Sequence, residues 1–190
     1  MRAVLNLPNI ITLFRLVIAA VFFLFIEIGG ARNFSVALVV FVIAGLSDVL
    51  DGYCARRLKL FTEFGRVADP FVDKVLICGG FIFLAPYAPS ILKPWIVTVV
   101  IARELLVTTI RSYSEAMKVP FAANWMGKLK MFFQSVTIGV LLLAIGVMSN
   151  QAWLMDIFLP IMVHIMVIFT ALSGIFYLAG FRGRFSEPQK

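Results

Sequence analysis

The chain has 190 residues, 62% of them hydrophobic, and a net charge of +7 from 17 basic and 10 acidic side chains. Soluble domains are roughly 45–50% apolar, so a mean hydropathy of +1.00 leaves little sequence for one. Two cysteines, Cys54 and Cys78, are too few and too far apart for a metal framework and read as small apolar helix residues.

The apolar residues fall in six runs, about 8–28, 34–55, 66–86, 94–114, 124–148 and 153–179. Each is about twenty residues or slightly longer, enough for a helix to cross a bilayer. The expectation is an all-α membrane protein, a single domain over 1–190 with six transmembrane helices. With the N-terminus in the cytoplasm, 13 of the 17 basic residues fall at cytoplasmic ends, among them Arg2, Arg56, Arg57, Lys118 and Arg182. Only Arg32 and Lys93 lie on the far side, while Arg15 and Arg103 sit inside spans. Positive charge on the cytoplasmic side is a topology signal. The basic balance therefore predicts two cytoplasmic termini rather than a nucleic-acid partner.

The first run follows Arg2 and so has the outline of a secretory leader. Asn9, Thr12 and Arg15 interrupt it, however, and no small-residue cleavage site follows. It reads as the first transmembrane helix, for which Pro8 and Asn9 as simple helix openers are one of two readings.

The second and third runs meet at SDVLDGYCARRLKLFTEFGRVADPFVDKV, residues 47–75. On a helix, Asp48, Asp51, Gly52, Ala55 and Arg56 fall within an arc of about 140°. On the next helix, Gly65, Asp69 and Asp73 fall within about 80°. Both faces border the same short loop, so four carboxylates can converge at one membrane edge. They need a counter-charge to stay ionised together. Mg²⁺ favours oxygen ligands and keeps positions for substrate phosphates. Gly52 and Ala55 clear bulk for a phosphate, Arg56 offers a guanidinium fork, and Thr62 a hydroxyl. The alternative is a solvated loop whose acids pair with Arg56, Arg57, Arg66 and Lys74. The two glycines and the second helical acid pair favour the metal–phosphate site.

The pattern Asp48-x2-Asp51-Gly52-x2-Ala55-Arg56-x8-Gly65-x3-Asp69-x3-Asp73 resembles the signature of the CDP-alcohol phosphotransferase family at all eight fixed positions, over 26 residues. The resemblance implies a six-helix membrane enzyme, commonly a homodimer, that uses two divalent metals, Mg²⁺ or Mn²⁺. Such an enzyme displaces CMP from a CDP-linked donor with an alcohol. By the same resemblance Asp48, Asp51 and Asp69 are metal ligands, and Asp73 is both a ligand of the second metal and the general base. Gly52, Arg56, Thr62 and Gly65 would line the CDP pocket. The residues alone do not decide between Asp69 and Asp73 as the base. For the first run the resemblance suggests Asn9 and Thr12 at the nucleotide end of the donor, CDP-diacylglycerol. Arg15, one turn on, either joins them or pairs with a carboxylate.

The fourth run contains IARELLVTTIRSYSE and the fifth begins NWMGKLKMFFQ. Arg103 and Arg111 lie about 80° around the helix and roughly 12 Å along it, so they can flank one cavity. An ionisable residue within an apolar run marks a functional site by default, and Glu104 beside Arg103 offers the alternative of simple neutralisation. Arg103, Arg111 and Lys128 near one edge suit an acceptor that carries its own phosphate. An uncharged alcohol such as choline or ethanolamine does not need them. The segments LPNIITLFR, AREL…R and GKLK resemble the branch of the family that makes phosphatidylglycerophosphate. That resemblance implies transfer of the phosphatidyl group from CDP-diacylglycerol to sn-glycerol 3-phosphate, at the cytoplasmic face of a bacterial inner membrane. The same chemistry with inositol phosphate, serine or phosphatidylglycerol stays open.

His164, the single histidine, reads as a satisfied interior residue of the sixth run. Gly79, Gly80 and Gly139 read as sites of close helix packing. Asp156 reads as an exposed loop acid and FRGRFSEPQK as a basic interfacial end. Two other classes compete with the enzyme. A cation transporter predicts acids near the midplane with exits on both faces, whereas all four motif acids sit at one edge. A scaffold leaves the motif unexplained.

Overall fold

Each apolar run forms a helix in the computed structural model, which describes residues 7–58, 63–117, 125–148 and 151–185, with side chains over 13–47, 70–117, 125–148 and 151–181. The helices are α1 (Leu7–Ile28), α2 (Ala31–Leu58), α3 (Glu63–Leu84), α4 (Pro94–Ala116), α5 (Trp125–Gly146) and α6 (Leu159–Phe185). A 3₁₀ turn, Ala85–Tyr87, follows α3, and a π-helical turn, Leu154–Phe158, precedes α6. The helices α2 and α3 run past the apolar limits that hydropathy sets, because backbone hydrogen bonding carries a helix on through polar turns. The expected sixth helix opens differently. Its first turn is a π turn ahead of Pro160, which has no N–H to give the carbonyl of residue 156. Asp156 is exposed as expected, but in that helical turn and not in a loop.

The α1–α2 hairpin turns on Gly29 (φ 70°) and Gly30 (φ 86°), a left-handed conformation that glycine reaches without strain. Gly29 N–H donates to the Ile26 carbonyl at 3.0 Å. The Asn33 amide donates back to the Gly29 carbonyl at 2.7 Å. The Tyr87 hydroxyl donates to the Glu27 carbonyl at 3.2 Å, tying this turn to the end of α3.

The core runs through the bundle: Phe22, Ile26, Phe81, Ile138 and Leu141 of α1, α3 and α5 are fully buried and continuous with Ala37 of α2, Val100 of α4 and Val163 of α6. Phe22 and Phe41 lie 5.5 Å apart, and Phe23 stacks on Phe83 at 5.0 Å. A Cβ on Gly79 would run into the Phe23 ring, and one on Gly80 would fall 3.0 Å from Ile138 Cδ1. The paired glycines thus admit α1 and α5 to α3, as expected. Gly139 does not act this way, since its nearest neighbour, Leu38, would stand at 3.9 Å, an ordinary contact. The tight approach on α5 is at Gly146, where a Cβ would meet Ser35 N at 3.1 Å and the Ala31 carbonyl at 3.2 Å.

Helix α4 packs mainly on α6, with a smaller contact to α3, and is not seated directly on α5. The outer faces of the bundle are apolar, with Phe14, Leu24, Val39, Leu105, Phe132 and Ile168 among many exposed large side chains. Apolar surface on this scale suits lipid and not water. Among the described residues, Pro70–Tyr87, Trp125–Gly146 and Leu154–Phe181 are long and apolar enough to cross a membrane, and Ala31–Ser47 is a shorter apolar helix. The protein is membrane-embedded. His164 is not interior as expected but exposed on α6, where Nδ1 donates to the Pro160 carbonyl at 2.6 Å.

Backbone at Gly146 cannot step aside as a flexible side chain can. Gly146→Ala is therefore expected to cost about 1–3 kcal/mol through overpacking, read as a lower thermal midpoint in detergent. Gly139→Ala, with space for its methyl, should leave the midpoint unchanged or raised.

Candidate active site

The third helix presents Pro70, Asp73, Lys74 and Ile77 on one stripe, three and four residues apart. Facing it, α4 presents Arg103, Glu104, Val107 and Arg111, and the start of α5 brings Gly127, Lys128 and Lys130. Tyr177 of α6 completes the wall. The cavity, open on one side, measures about 220 Å³. Pro70, inside α3 and just after Asp69, has no N–H for the carbonyl of residue 66, so the helix lacks one backbone bond beside this cavity.

At its base lies a buried ionic network. Glu104 Oε1 accepts from Arg103 Nη1 at 3.1 Å and also from the Lys130 ammonium. Lys130 donates further to Gln134 Oε1 at 3.0 Å, and Gln134 Nε2 donates to Thr170 Oγ1 at 3.2 Å. Arg103 Nε donates to Ser173 Oγ at 2.8 Å, and its guanidinium lies 5.6 Å from the centre of the Tyr177 ring. Arg103, Glu104 and Lys130 are 8%, 6% and 7% exposed, so three charges are held away from solvent and joined to one another. Of the two readings for Arg103, neutralisation by Glu104 is thus present, and the residue lines the cavity as well.

Asp73 is 28% exposed, and its Oδ1 accepts from Arg15 Nη2 at 2.5 Å, with Arg15 only 5% exposed. Arg15 therefore makes the carboxylate pair that the sequence allowed. The cavity brings together four residues predicted from sequence, Asp73, Arg103, Arg111 and Lys128. Asp48, Asp51, Gly52 and Arg56 fall in the last turns of α2, Gly65 and Asp69 open α3, and Asn9 and Thr12 open α1. The side chains of these residues, and Thr62 as a whole, lie outside the described residues. The end of α2 at Leu58 and the start of α3 at Glu63 are five residues apart, so at most about 18 Å separates them.

Among the described residues no three His, Cys, Asp or Glu side chains come together as a metal site. Asp73 is the one motif acid whose side chain is described, and it stands at the cavity wall with part of its surface accessible. The motif's donor set is all carboxylate oxygen, which fits a hard divalent cation.

Sequence reasoning left out Lys130, Gln134, Ser173 and Tyr177. Lys130 carried a signal, being an ionisable residue within a predicted span and one turn before Gln134. Ser173 and Tyr177 carried none, since nothing local marks which face of α6 meets an arginine.

The sequence matches the CDP-alcohol phosphatidyltransferase family over residues 5–178. The chain belongs to the CDP-alcohol phosphatidyltransferase family. Similar proteins include the probable phosphatidylglycerophosphate synthase of Mycobacterium tuberculosis, 36% identical over 178 residues, covering 92% of this chain and 80% of that protein. The CDP-diacylglycerol–glycerol-3-phosphate 3-phosphatidyltransferase of Bacillus subtilis is 35% identical over 151 residues, covering 73% and 77%. The protein of the same name from Rickettsia prowazekii is 30% identical over 177 residues, covering 93% and 96%. Membership of the CDP-alcohol phosphatidyltransferase family sets aside the transporter and scaffold readings, and it accounts for the eight-position motif at the α2–α3 junction.

Ser173→Ala in this phosphatidyltransferase removes the acceptor of Arg103 Nε. A buried donor left unpaired costs about 1–3 kcal/mol, so the thermal midpoint in detergent should fall. An unchanged midpoint would show that the bond contributes nothing.

Proposed function

We propose that this membrane enzyme transfers the phosphatidyl group of CDP-diacylglycerol to sn-glycerol 3-phosphate, giving phosphatidylglycerophosphate and CMP in phospholipid biosynthesis. The observation that carries this reading is one cavity lined by Asp73 of the family motif together with Arg111 and Lys128. A carboxylate that can take a proton and cations that can hold a phosphate share one space of about 220 Å³. The relatives whose names specify glycerol 3-phosphate as acceptor support it further.

In the proposed reaction the acceptor's phosphate lies against Arg111 and Lys128, with Arg103 behind them. Its free hydroxyl oxygen attacks the phosphorus that carries the diacylglycerol, the bond from that phosphorus to the CMP oxygen breaks, and CMP leaves. Asp73 takes the hydroxyl proton, held in place from α1 by Arg15. Asp48, Asp51, Asp69 and Asp73 would hold two divalent cations, Mg²⁺ or Mn²⁺. Bound there, such ions offset charge on the pyrophosphate and on the leaving CMP. Gly52, Arg56, Thr62 and Gly65 would line the CDP pocket, and Asn9 and Thr12 the nucleotide end. The whole chain is one catalytic domain, with six transmembrane helices and both termini cytoplasmic. It acts as a homodimer in a bacterial inner membrane, with the site facing the cytoplasm. The distribution of basic residues and the bacterial sources of the relatives support this placement.

Purified protein in detergent, given CDP-diacylglycerol and Mg²⁺, should release CMP with glycerol 3-phosphate but not with inositol phosphate, serine or phosphatidylglycerol, and EDTA should stop release. Asp73→Asn should abolish turnover while donor binding persists; loss of donor binding as well would make Asp73 chiefly a metal ligand. Arg111→Ala and Lys128→Ala should each raise the KM for glycerol 3-phosphate about tenfold, on the order of 1.4 kcal/mol, with the KM for the donor unchanged. Equal effects on both substrates would remove the phosphate-pocket assignment.

A further inference from the structure

Five cations line the cavity, yet they are not equivalent. Arg103 and Lys130 share Glu104 Oε1 and are turned into the wall, one onto Ser173 and Tyr177, the other onto Gln134. Lys74, Arg111 and Lys128 have no hydrogen-bond or ion-pair partner among the described residues. Arg111 and Lys128 are exposed and Lys74 is half-buried, next in sequence to Asp73. A single carboxylate therefore divides the cations into a fixed pair and an available trio.

We infer that Glu104 is a positioning residue for the acceptor: by holding Arg103 and Lys130 in the wall, it leaves the acceptor's phosphate to Lys74, Arg111 and Lys128, at the mouth and beside Asp73. The inference rests on the acceptor reading above and adds Lys74 to the residues that hold the phosphate. The physical reason is competition for the dianion. A phosphate entering the cavity goes to whichever cations are not already paired with a carboxylate. With Glu104 in place those are the trio, and the acceptor hydroxyl is presented to Asp73. With Glu104 neutral, two buried cations are uncompensated, and the phosphate moves deeper onto them, taking its hydroxyl away from the base. Binding then holds or tightens while turnover falls. A merely structural role would weaken both substrates together.

The test is steady-state CMP release by purified protein in detergent with CDP-diacylglycerol and glycerol 3-phosphate, with inorganic phosphate as competing inhibitor. Turnover by the wild-type protein comes first, and its absence overturns the acceptor reading and this inference with it. In active protein, Glu104→Gln should lower kcat at least tenfold, leave the glycerol 3-phosphate KM unchanged or lower, and lower the inhibition constant of inorganic phosphate at least threefold. The KM for CDP-diacylglycerol should stay within twofold. The double variant Glu104→Gln/Lys130→Gln removes one of the released cations and should recover at least threefold in kcat, with phosphate inhibition returning toward wild type. Lys74→Met should raise the glycerol 3-phosphate KM at least fivefold without changing that of the donor. Parallel increases in both KM values for Glu104→Gln, weaker phosphate inhibition, or a double variant no better than the single one each overturn the proposal. Should Glu104→Gln fail to fold, the double variant carries the comparison, and a kcat within tenfold of wild type supports the inference. Failure of both to fold assigns the carboxylate to the bundle alone and overturns it.

Discussion

The ion pair between Glu104 and Lys130 spans a gap that the helix backbones leave open. Helix α4 packs on α6, and α5 packs on α6 and α2, yet α4 and α5 are not seated on one another. A carboxylate from one and an ammonium from the other meet across the space, both nearly inaccessible to solvent. Neither could stay there alone, because breaking a buried pair costs about 3–5 kcal/mol. The pair therefore bridges α4 and α5 where their backbones do not pack on one another. Arg103 joins the same carboxylate and extends the constraint to α6 through Ser173. Charged side chains thus meet at the junction of three helices, beside the apolar Ile77, Val107 and Met131 that line the same cavity.

The rest of the bundle is built to make that junction affordable. Away from it, α1, α2, α3 and α5 close on fully buried phenylalanines and on glycines that let backbones approach within a side chain's width. The Gly29–Gly30 turn and Tyr87 fasten the opposite end. Polar residues are thereby gathered at one end, where α3 and α5 start and α4 and α6 finish. The Arg15–Asp73 pair adds α1 to that end, so five helices contribute side chains to one ionic region.

Much of this was legible in the sequence, for different reasons in different places. Helix positions followed from apolar runs, and errors lay at the ends, where helices continue through polar turns such as the motif itself. The placement of Arg103 and Arg111 on one cavity followed from helical periodicity, which fixes what shares a face within a helix. Periodicity does not say which neighbour that face meets. Lys130 stands in the sequence among the basic residues of one edge, yet it is a buried partner of Glu104, and Ser173 and Tyr177 give no sign of facing Arg103. His164 shows the same limit, since an apolar sequence context does not separate an interior face from a lipid-facing one.

In the proposed reaction two anionic groups must be brought together, the donor's pyrophosphate and the acceptor's phosphate, and they repel. Each needs positive charge of its own, supplied so that the two do not share one site. The motif acids at the end of α2 and the start of α3 would gather that charge as bound cations, while α4 and α5 carry it covalently as arginine and lysine. Helix α3 belongs to both sides. Its consecutive residues Asp73 and Lys74 both line the cavity, the first from the acidic motif and the second among the cations. A hydroxyl held by the second side and attacking a phosphorus held by the first has to pass this helix, and the carboxylate it meets there is Asp73. On that proposal one base would stand between two anion sites because a single helix would wall both.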